Sequence, residues 1–599
     1  MAHAAEITTT HHLNPGSNKR LHKLPAESAT NPSPQFRVQT LSKQSMKIHF
    51  SFLVFLFLQL ACKKGGDPSP QPSPVPESFS FNRLRVNGLF NGFTYYNVSS
   101  SPVIKFSFFT PIDHTSAASS FSFTEVGGAA VSVKTSFENG DSTVVLQPVS
   151  PLRALAQYTV SVPTSLQSQK KGILQTAVSL ALTTSLDSTD KFPRLSDSAL
   201  LSLVQAQTFK YFWDFGHPVS GLARERNTSG DIVTTGGSGF GIMALVVAVN
   251  RQFISRADGV ARMHKILDFL KNKARRFHGA FPHWLNGSSG NVQPFSAKDD
   301  GADLVETSYL MQGLLTARQY FNGADAAETG LRSDVNTLWN AVEWDWFRKS
   351  GETVLYWHWS PTYNWDMNLP VHGWNEALIT YVLAAASPAH AIPKEVYMNG
   401  WAQNGAMKNG ASYYGITLPL GPAFGGPLFF SQYSFLGINP NGLTDQYADY
   451  RMQNTAHATI NYEYCKANPK GYYGYSDQCW GLTASDISGG YTASSPANDI
   501  GVIAPTAALA SFPYTPTQSM NALRFFYYKL GDKIWKDYGF ADAFSLKDIW
   551  FANSFLAIDQ GPIIVMIENY RSQLLWNLFM SCPEVKTGMR NLGFQGPSL

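Results

Sequence analysis

The chain has 599 residues, too many for one ordinary core, so two or more folded units are expected. Its 46 lysines and arginines against 42 aspartates and glutamates leave a formal charge of +4, with the basic residues scattered, which argues against nucleic acid as a partner. Charged residues make up 15% and aromatics 13%, a balance that suits neutral, hydroxyl-rich ligands, although part of the ring excess must serve the core.

Residues 1–45 are rich in Ser, Thr, Asn, Pro and His without sustained periodicity, and read as disordered or as a non-native extension upstream of Met46. From Met46 the pattern changes to Lys47, the apolar run "FSFLVFLFLQLA" and Cys62. Residues 46–62 thus read as a lipoprotein-type signal, with cleavage before Cys62 and lipid on its sulfur. Gln59 departs from the aliphatic residue such a signal prefers, and the run is short for a transmembrane span. The expectation is export to the periplasm, or attachment to the outer membrane through Cys62. Residues 63–78, "KKGGDPSPQPSPVPES", are a proline-rich tether with little to bury. Of the other cysteines, Cys465 and Cys479 are candidates for a single bridge, and Cys582 is left over.

Between 79 and 187 short alternating runs, "SPVIKFSFFT", "AAVSVKTSF", "STVVLQPV" and "AQYTVSVP", are separated by Gly, Asn, Asp, Ser and Pro. Period-two alternation over such short runs predicts a β-sandwich. The stretch resembles the bacterial immunoglobulin-like modules found beside exported enzymes, which implies a spacer role. From 196 onward the period becomes helical. "SALLSLVQAQTFKYFWDF" places Leu200, Leu203, Val204 and Phe212 near one face, and "GFGIMALVVAVNRQF" reads as a largely buried helix. Further helices are predicted at 257–275, 302–320, 329–341, 373–385, 443–464, 499–511, 516–530 and 558–579. So many helices with long Gly- and aromatic-rich connections exceed a simple bundle, and an all-α barrel of paired helices over 196–599 fits better.

Two stretches gather chemistry. "KDDGADLVETSYLMQG" brings Asp299, Asp300, Asp303 and Glu306 to the start of an apolar helix. Capping of exposed amides accounts for one or two of these acids, while Glu306 beside Tyr309 invites a catalytic or sugar-binding role. "VLYWHWSPTYNWDMNLPVHGWNEALITYVLAAA" concentrates Trp357, His358, Trp359, Tyr363, Trp374 and Glu376. Indoles offer flat faces to sugar rings, or simply pack a loop. A carboxyl at Glu376, desolvated by rings, would hold its proton and act as a general acid. Asp559 in "AIDQGPIIVMIENY" is a candidate for orienting water, and Glu568 in the same segment reads as structural or surface.

Other chemistries lack their marks. "TTGGSGFG", Thr234 to Gly241, has a phosphate loop's glycines without its Lys and Ser or Thr, and reads as a tight turn lining a cleft. "HGAFPHW" holds two histidines but no carboxylates at metal spacing, so His283 and Trp284 fit sugar contacts, and no metal or other cofactor is expected. There is neither a GxSxG elbow nor an HExxH pair.

With "YFWDF", "TTGGSGFG", "FPHW", "DDGADLVETSYLMQGLL", "WHWSP", "GWNEALITYVLAA" and "AIDQGPIIVMIENY" together, the region from about Leu200 to Tyr570 resembles the bacterial glycoamylase-type domains that include endo-β-1,2-glucanases and sophorose-releasing enzymes. The resemblance implies an (α/α)6 barrel and metal-independent, inverting hydrolysis of β-1,2-glucan. It also implies Asp303, Glu306 and Glu376 at the cleft base, with Glu376 as general acid and Asp559 as base candidate. His283, Trp284, Asp300, Trp357, His358, Trp359, Tyr363 and Trp374 are the expected substrate contacts. Internal cleavage by a monomer is the first expectation. Terminal release of sophorose and non-catalytic glycan binding are the alternatives.

Overall fold

The computed structural model describes residues 77–599. The expectations for residues 1–45, for the signal segment with Cys62 and for most of the tether lie outside these residues.

Eight strands make the first unit: β1 (Phe81–Val86), β2 (Thr94–Val98), β3 (Ile104–Phe108), β4 (Ser122–Glu125), β5 (Val133–Glu138), β6 (Thr143–Pro148), β7 (Gln157–Val162) and β8 (Val178–Thr184). They form two four-stranded sheets, ordered β1-β3-β6-β5 and β2-β8-β7-β4. Only the β2–β8 pairing is parallel. The predicted alternation is what builds the core. In β3 Ile104, Phe106 and Phe108 are buried, and in β7 Tyr158, Val160 and Val162, so each strand sends every second residue inward. A short helix, α1 (His114–Ser120), crosses between β3 and β4. The unit rests on the helical part through Tyr96, stacked 5.9 Å from Tyr473, and through the Leu186 amide, which donates to the Tyr473 hydroxyl at 3.0 Å.

The helices that follow are α2 (Asp197–Trp213), α3 (Thr235–Asn250), α4 (Arg256–Asn272), α5 (Leu304–Tyr320), α6 (Ala326–Asn340), α7 (Leu378–Ala386), α8 (Tyr450–Ala467), α9 (Pro505–Leu509), α10 (Pro516–Tyr528), α11 (Gly531–Ile534), α12 (Ala557–Ser572), α13 (Leu574–Met580) and α14 (Pro583–Leu592). They lie in two layers. In the inner one α3 packs between α5 and α12, α5 meets α7, α7 meets the 3-10 turn Ser434–Leu436, and α9 meets α12. Gln432 Nε2 joins that turn region to α9 by donating to the Ala507 carbonyl at 3.1 Å. Outside them α2 backs α3 and α12, α4 and α6 back α3 and α5, α14 backs α7, and α10 backs α9.

Glycine sets the closest of these approaches. A Cβ on Gly239 would stand 2.1 Å from the Tyr309 carbonyl oxygen, and one on Gly313 would stand 2.2 Å from that of Gly239. "TTGGSGFG" is therefore not a turn: from Thr235 it is the buried first turns of α3, and its glycines let α3 and α5 touch along their backbones.

Several predicted boundaries move for local reasons. Gly373, at φ 76°, delays α7 to Leu378, so Glu376 precedes its helix. Asp449 accepts from the Met452 amide at 2.9 Å and starts α8 at Tyr450. Gln573, at φ 59°, divides the predicted 558–579 helix into α12 and α13. Cys465, Cys479 and Cys582 are buried thiols, and the candidate bridge does not form.

Candidate active site

Asp303 carries two functions on its two oxygens. It caps α5, with Oδ1 accepting from the Glu306 amide at 2.9 Å, while Oδ2 lies 2.9 Å from His283 Nδ1 and 3.7 Å from His358 Nδ1. The residue is fully buried. Burial alone would raise its pKa, but the two imidazoles and the Glu306 amide outweigh it and hold the carboxyl below the usual range. Capping and site chemistry are thus the same residue's work, divided between oxygens.

Glu306 sits three residues into α5 and points at the start of α3. Its Oε2 accepts from the Gly236 amide at 2.7 Å and from Thr234 Oγ1 at 3.4 Å. Gly236 is required there, because a Cβ would stand 2.6 Å from Oε2 and 2.8 Å from the Tyr309 ring. Burial raises the Glu306 pKa, opposed by His283 and reinforced by the Asp303 charge.

Asp299 and His358 complete the group. His358 Nδ1 lies 3.4 Å from Asp299 Oδ1, and Asp299 is only 3% exposed with neither oxygen hydrogen-bonded. Folding therefore brings to His283 the carboxylates missing from its own segment. His283, Asp299 and Asp303 offer ligand atoms within 4.8 Å of one another. The acids raise the proton affinity of both histidines. Desolvation would lower the His283 pKa, but Glu306, Asp303 and Asp299 overcome it and raise it to about 9; His358 is raised by Asp303 and Asp299 against its own desolvation.

Glu376 faces this charged group as a neutral acid. Desolvation, with smaller contributions from the Glu306 and Asp303 charges, raises its pKa to about 7. Its backbone is pinned: the Glu376 carbonyl accepts from the Ser434 hydroxyl and from the Tyr309 hydroxyl, the latter at 3.4 Å. The Tyr433 ring packs 5.1 Å from Phe240 and 5.8 Å from Tyr309. Its buried phenol stays protonated through desolvation and the charges of Asp559, Glu376 and Glu306.

The remaining expected contacts separate. Trp284 packs on Phe295 at 4.8 Å and borders His283. Trp357 and Trp359 flank His358 in sequence and are half-buried, Trp357 stacking over the His358 ring and Trp359 meeting His278. Tyr363 is exposed on the loop that Asp300 organises. Asp300 supports this loop: Ser360 Oγ donates to its Oδ1, and Thr362 Oγ1 to its Oδ2 at 2.8 Å. Trp374 is 4% exposed and packs between Phe435 and Tyr450. Asp559 belongs to another acid group, with Asp542 and Asp486; burial, and then the charges of Asp542 and Asp486, push its pKa well above the ordinary aspartate value. Glu568 is structural: fully buried, it takes a two-point ion pair from Arg251 at 2.8 and 2.9 Å.

Tyr433, Asp542 and Asp486 are additions that sequence reasoning does not make, and Asp299 stands there only as one of the acids ahead of α5. The doublet Asp299–Asp300 was signal enough to flag a pair of acids but not to say which one turns inward. Tyr433 stands among aromatics in "FFSQYSF" with nothing local to distinguish it. A separate surface groove, lined by Val249, Gln252, Ser255, Arg256 and Tyr320, lies at the far end of α3, about 20 Å from Gly236 at 1.5 Å per residue, and is not part of the site.

Asp299, Asp303, Glu306, Glu376, His283 and His358, gathered around the start of α5, make a candidate acid–base site in a two-unit chain. The glycoamylase family model matches residues 368–583, and a bacterial Ig-like domain model matches residues 91–184. The solved endo-β-1,2-glucanase of Chitinophaga pinensis, in complex with sophorotriose and glucose, is 54% identical with a TM-score of 0.66, the match covering 68% of this chain and 100% of that one. The solved β-1,2-glucanase of Parabacteroides distasonis is 37% identical with a TM-score of 0.66, over 88% of this chain and 74% of that one. A curated relative from the same species, an exo β-1,2-glucooligosaccharide sophorohydrolase acting at the non-reducing end, is 47% identical over 444 residues, 70% of this chain. The match spans 61% of that relative's length. The chain belongs to the bacterial glycoamylase-like family and carries an Ig-like module ahead of the family's helical domain.

Proposed function

We propose that this chain is a glycoside hydrolase that cleaves β-1,2-linked glucan, with Glu376 as the general acid. Glycosidic cleavage needs a group that is protonated at working pH and able to give that proton to the departing oxygen. The observation that carries the reading is the contrast within one site: burial raises the Glu376 pKa to about 7, while the Asp303 carboxyl beside His283 and His358 is held below the usual range. Such divided environments for neighbouring carboxyls are how one site runs acid and base chemistry together. Asp303, Asp299, His283 and His358 would hold the hydroxyls of the central sugar, with Trp284, Trp357 and Trp359 supplying ring faces. In this reading the inner helices α3, α5, α7, α9 and α12, with the 3-10 turns between α7 and α9, close as an (α/α)6 toroid around the acids, and the reaction inverts the anomeric centre.

Release of sophorose from a chain end is the favoured mode, on the likeness to the curated sophorohydrolase; the sequence expectation had put internal cleavage first. Internal cleavage is the second reading, on the likeness to the Chitinophaga pinensis enzyme. Early product sizes from long β-1,2-glucan decide between them. Sophorose as the sole early product fits terminal release, and a ladder of longer oligosaccharides replaces it with internal cleavage.

A further inference from the structure

Beyond Asp303, Glu306 and Glu376, a second group of buried acids lies where α12 begins. Asp559 is in the first turn of α12, Asp542 is in the segment between Phe540 and Phe544, and Asp486 is on the hairpin Ala484–Ile487 with Gly490–Ala493. Asp542 and Asp559 are 2% and 3% exposed. One oxygen of each, Asp542 Oδ1 and Asp559 Oδ2, has no hydrogen-bond donor among the described residues. The other Asp542 oxygen accepts from the Asp486 amide at 2.7 Å, and the Asp542 amide donates to the Ser554 carbonyl at 3.0 Å, so Asp542 is fixed at both its backbone and its side chain. Asp486 is neutralised from the solvent side by Arg226, 3.1 Å away, and by the Ser554 hydroxyl; Arg226 is also paired with Glu225 at 2.9 Å. The groups that face the two carboxyls are therefore Asp486, Arg226 with its partner Glu225, and the phenols of Tyr491 and Tyr433.

Two buried carboxyl oxygens left without donors carry a heavy desolvation cost unless something lies between them. The Asp542 and Asp559 carboxyls interact directly with each other, so a single proton shared between them satisfies both at once, as in other paired carboxyls whose charges cannot both develop. Arg226 is spent on Asp486 and Glu225, and no other cation reaches the pair among the groups named above.

We propose that Asp542 is a positioning residue that holds one proton jointly with Asp559, so that the pair presents a single negative charge beside Tyr433. The inference rests on the hydrolase reading for its role in turnover, but the shared proton itself does not. In turnover the attacking water would give one proton to the pair as its oxygen bonds to the anomeric carbon. The bond from that carbon to the departing sugar oxygen breaks with its electron pair, and that oxygen takes the Glu376 proton. The pair ends doubly protonated and Glu376 ionised, and exchange with solvent restores both. Burial and the neighbouring Asp486 charge raise the Asp542 pKa to about 7, which suits acceptance of the second proton near neutrality.

The test uses Asp542→Asn in the whole chain, with Asp542→Ser as the second substitution should the first not fold, and Asp542→Glu as the conservative control. An asparagine amide donates to Asp559 and removes the like charge, so the Asp559 pKa falls. Carboxyl-stretch infrared difference spectra without substrate should lose a protonated-carboxyl band that in the parent protein persists above neutral pH. The acid limb of kcat/KM on sophoro-oligosaccharides should move down by about one pH unit or more, with KM changed much less than kcat, and Asp542→Glu should restore it. Identical infrared spectra overturn the shared proton. An acid limb that stays in place while kcat drops at every pH overturns the positioning role. Absence of turnover in the parent protein with the infrared change intact would instead retire the hydrolase reading and leave the shared proton standing.

Discussion

Replacing Glu376 by glutamine separates the site's chemistry from its folding in one protein. The carboxyl is raised from 4.5 to about 7, chiefly by burial. In the unfolded chain it ionises near its ordinary value, so between these two pKa values the folded state binds one proton more than the unfolded state, and stability falls as pH rises. Below about pH 4.5 both states are protonated and the group contributes nothing. Above about pH 7 the wild type has lost about 3 kcal/mol, from 1.36 kcal/mol per unit over the interval. Glu376→Gln cannot ionise and escapes this loss, so it should be more stable than the wild type by about that amount at pH 8 and equal to it at pH 4. Turnover should move the other way, falling roughly 10²- to 10⁴-fold, the usual contribution of a general acid. Urea denaturation at the two pH values, followed by circular dichroism, measures the first effect, and a reducing-end assay the second. Near-wild-type turnover would refute the acid assignment, and equal stabilities at pH 8 would refute the desolvated carboxyl.

Gly236→Ala should reduce kcat/KM at least tenfold while leaving the secondary-structure spectrum intact, because its Cβ displaces Glu306 from the α3 amide; an unchanged kcat/KM would show that this contact is idle. Asp303→Asn removes the carboxylate but keeps a cap for α5, so helix content should persist while productive binding fails. Proton NMR of the His283 ring should then show its pKa well below about 9, and a ring that still titrates there would mean another partner holds it. Glu568→Gln breaks a buried two-point ion pair and should cost about 3–5 kcal/mol in urea unfolding with kcat unchanged per folded molecule; a loss of kcat instead would place Glu568 in the site.

The division of the chain was legible because it rests on period. Strand alternation in "AQYTVSVP" and the apolar run after Gly239 report local burial, and burial is what the period records. Asp303, Glu306 and Glu376 stand out as acids set against apolar or ring-rich sequence, and the structure brings all three within each other's electrostatic reach. What stayed hidden depends on contacts between distant segments. The pairing of His283 with Asp303 spans 20 residues and that of His358 with Asp299 spans 59, so neither histidine's charge state was readable from its own neighbours. Trp374 is ambiguous in the converse way. An indole looks the same in sequence whether it lines a cleft or, as here, fills the space between Phe435 and Tyr450. "TTGGSGFG" was read as a turn because glycine usually marks one, whereas here tight helix contact is what requires it.

The most direct test of the hydrolase assignment is the appearance of new reducing ends over time on purified glucans that differ only in linkage. Rapid release from β-1,2-glucan, with β-1,3-, β-1,4- and α-1,4-glucans untouched, is the predicted result. Affinity for β-1,2-glucan without any cleavage after prolonged incubation, or preferential cleavage of another linkage, would contradict it.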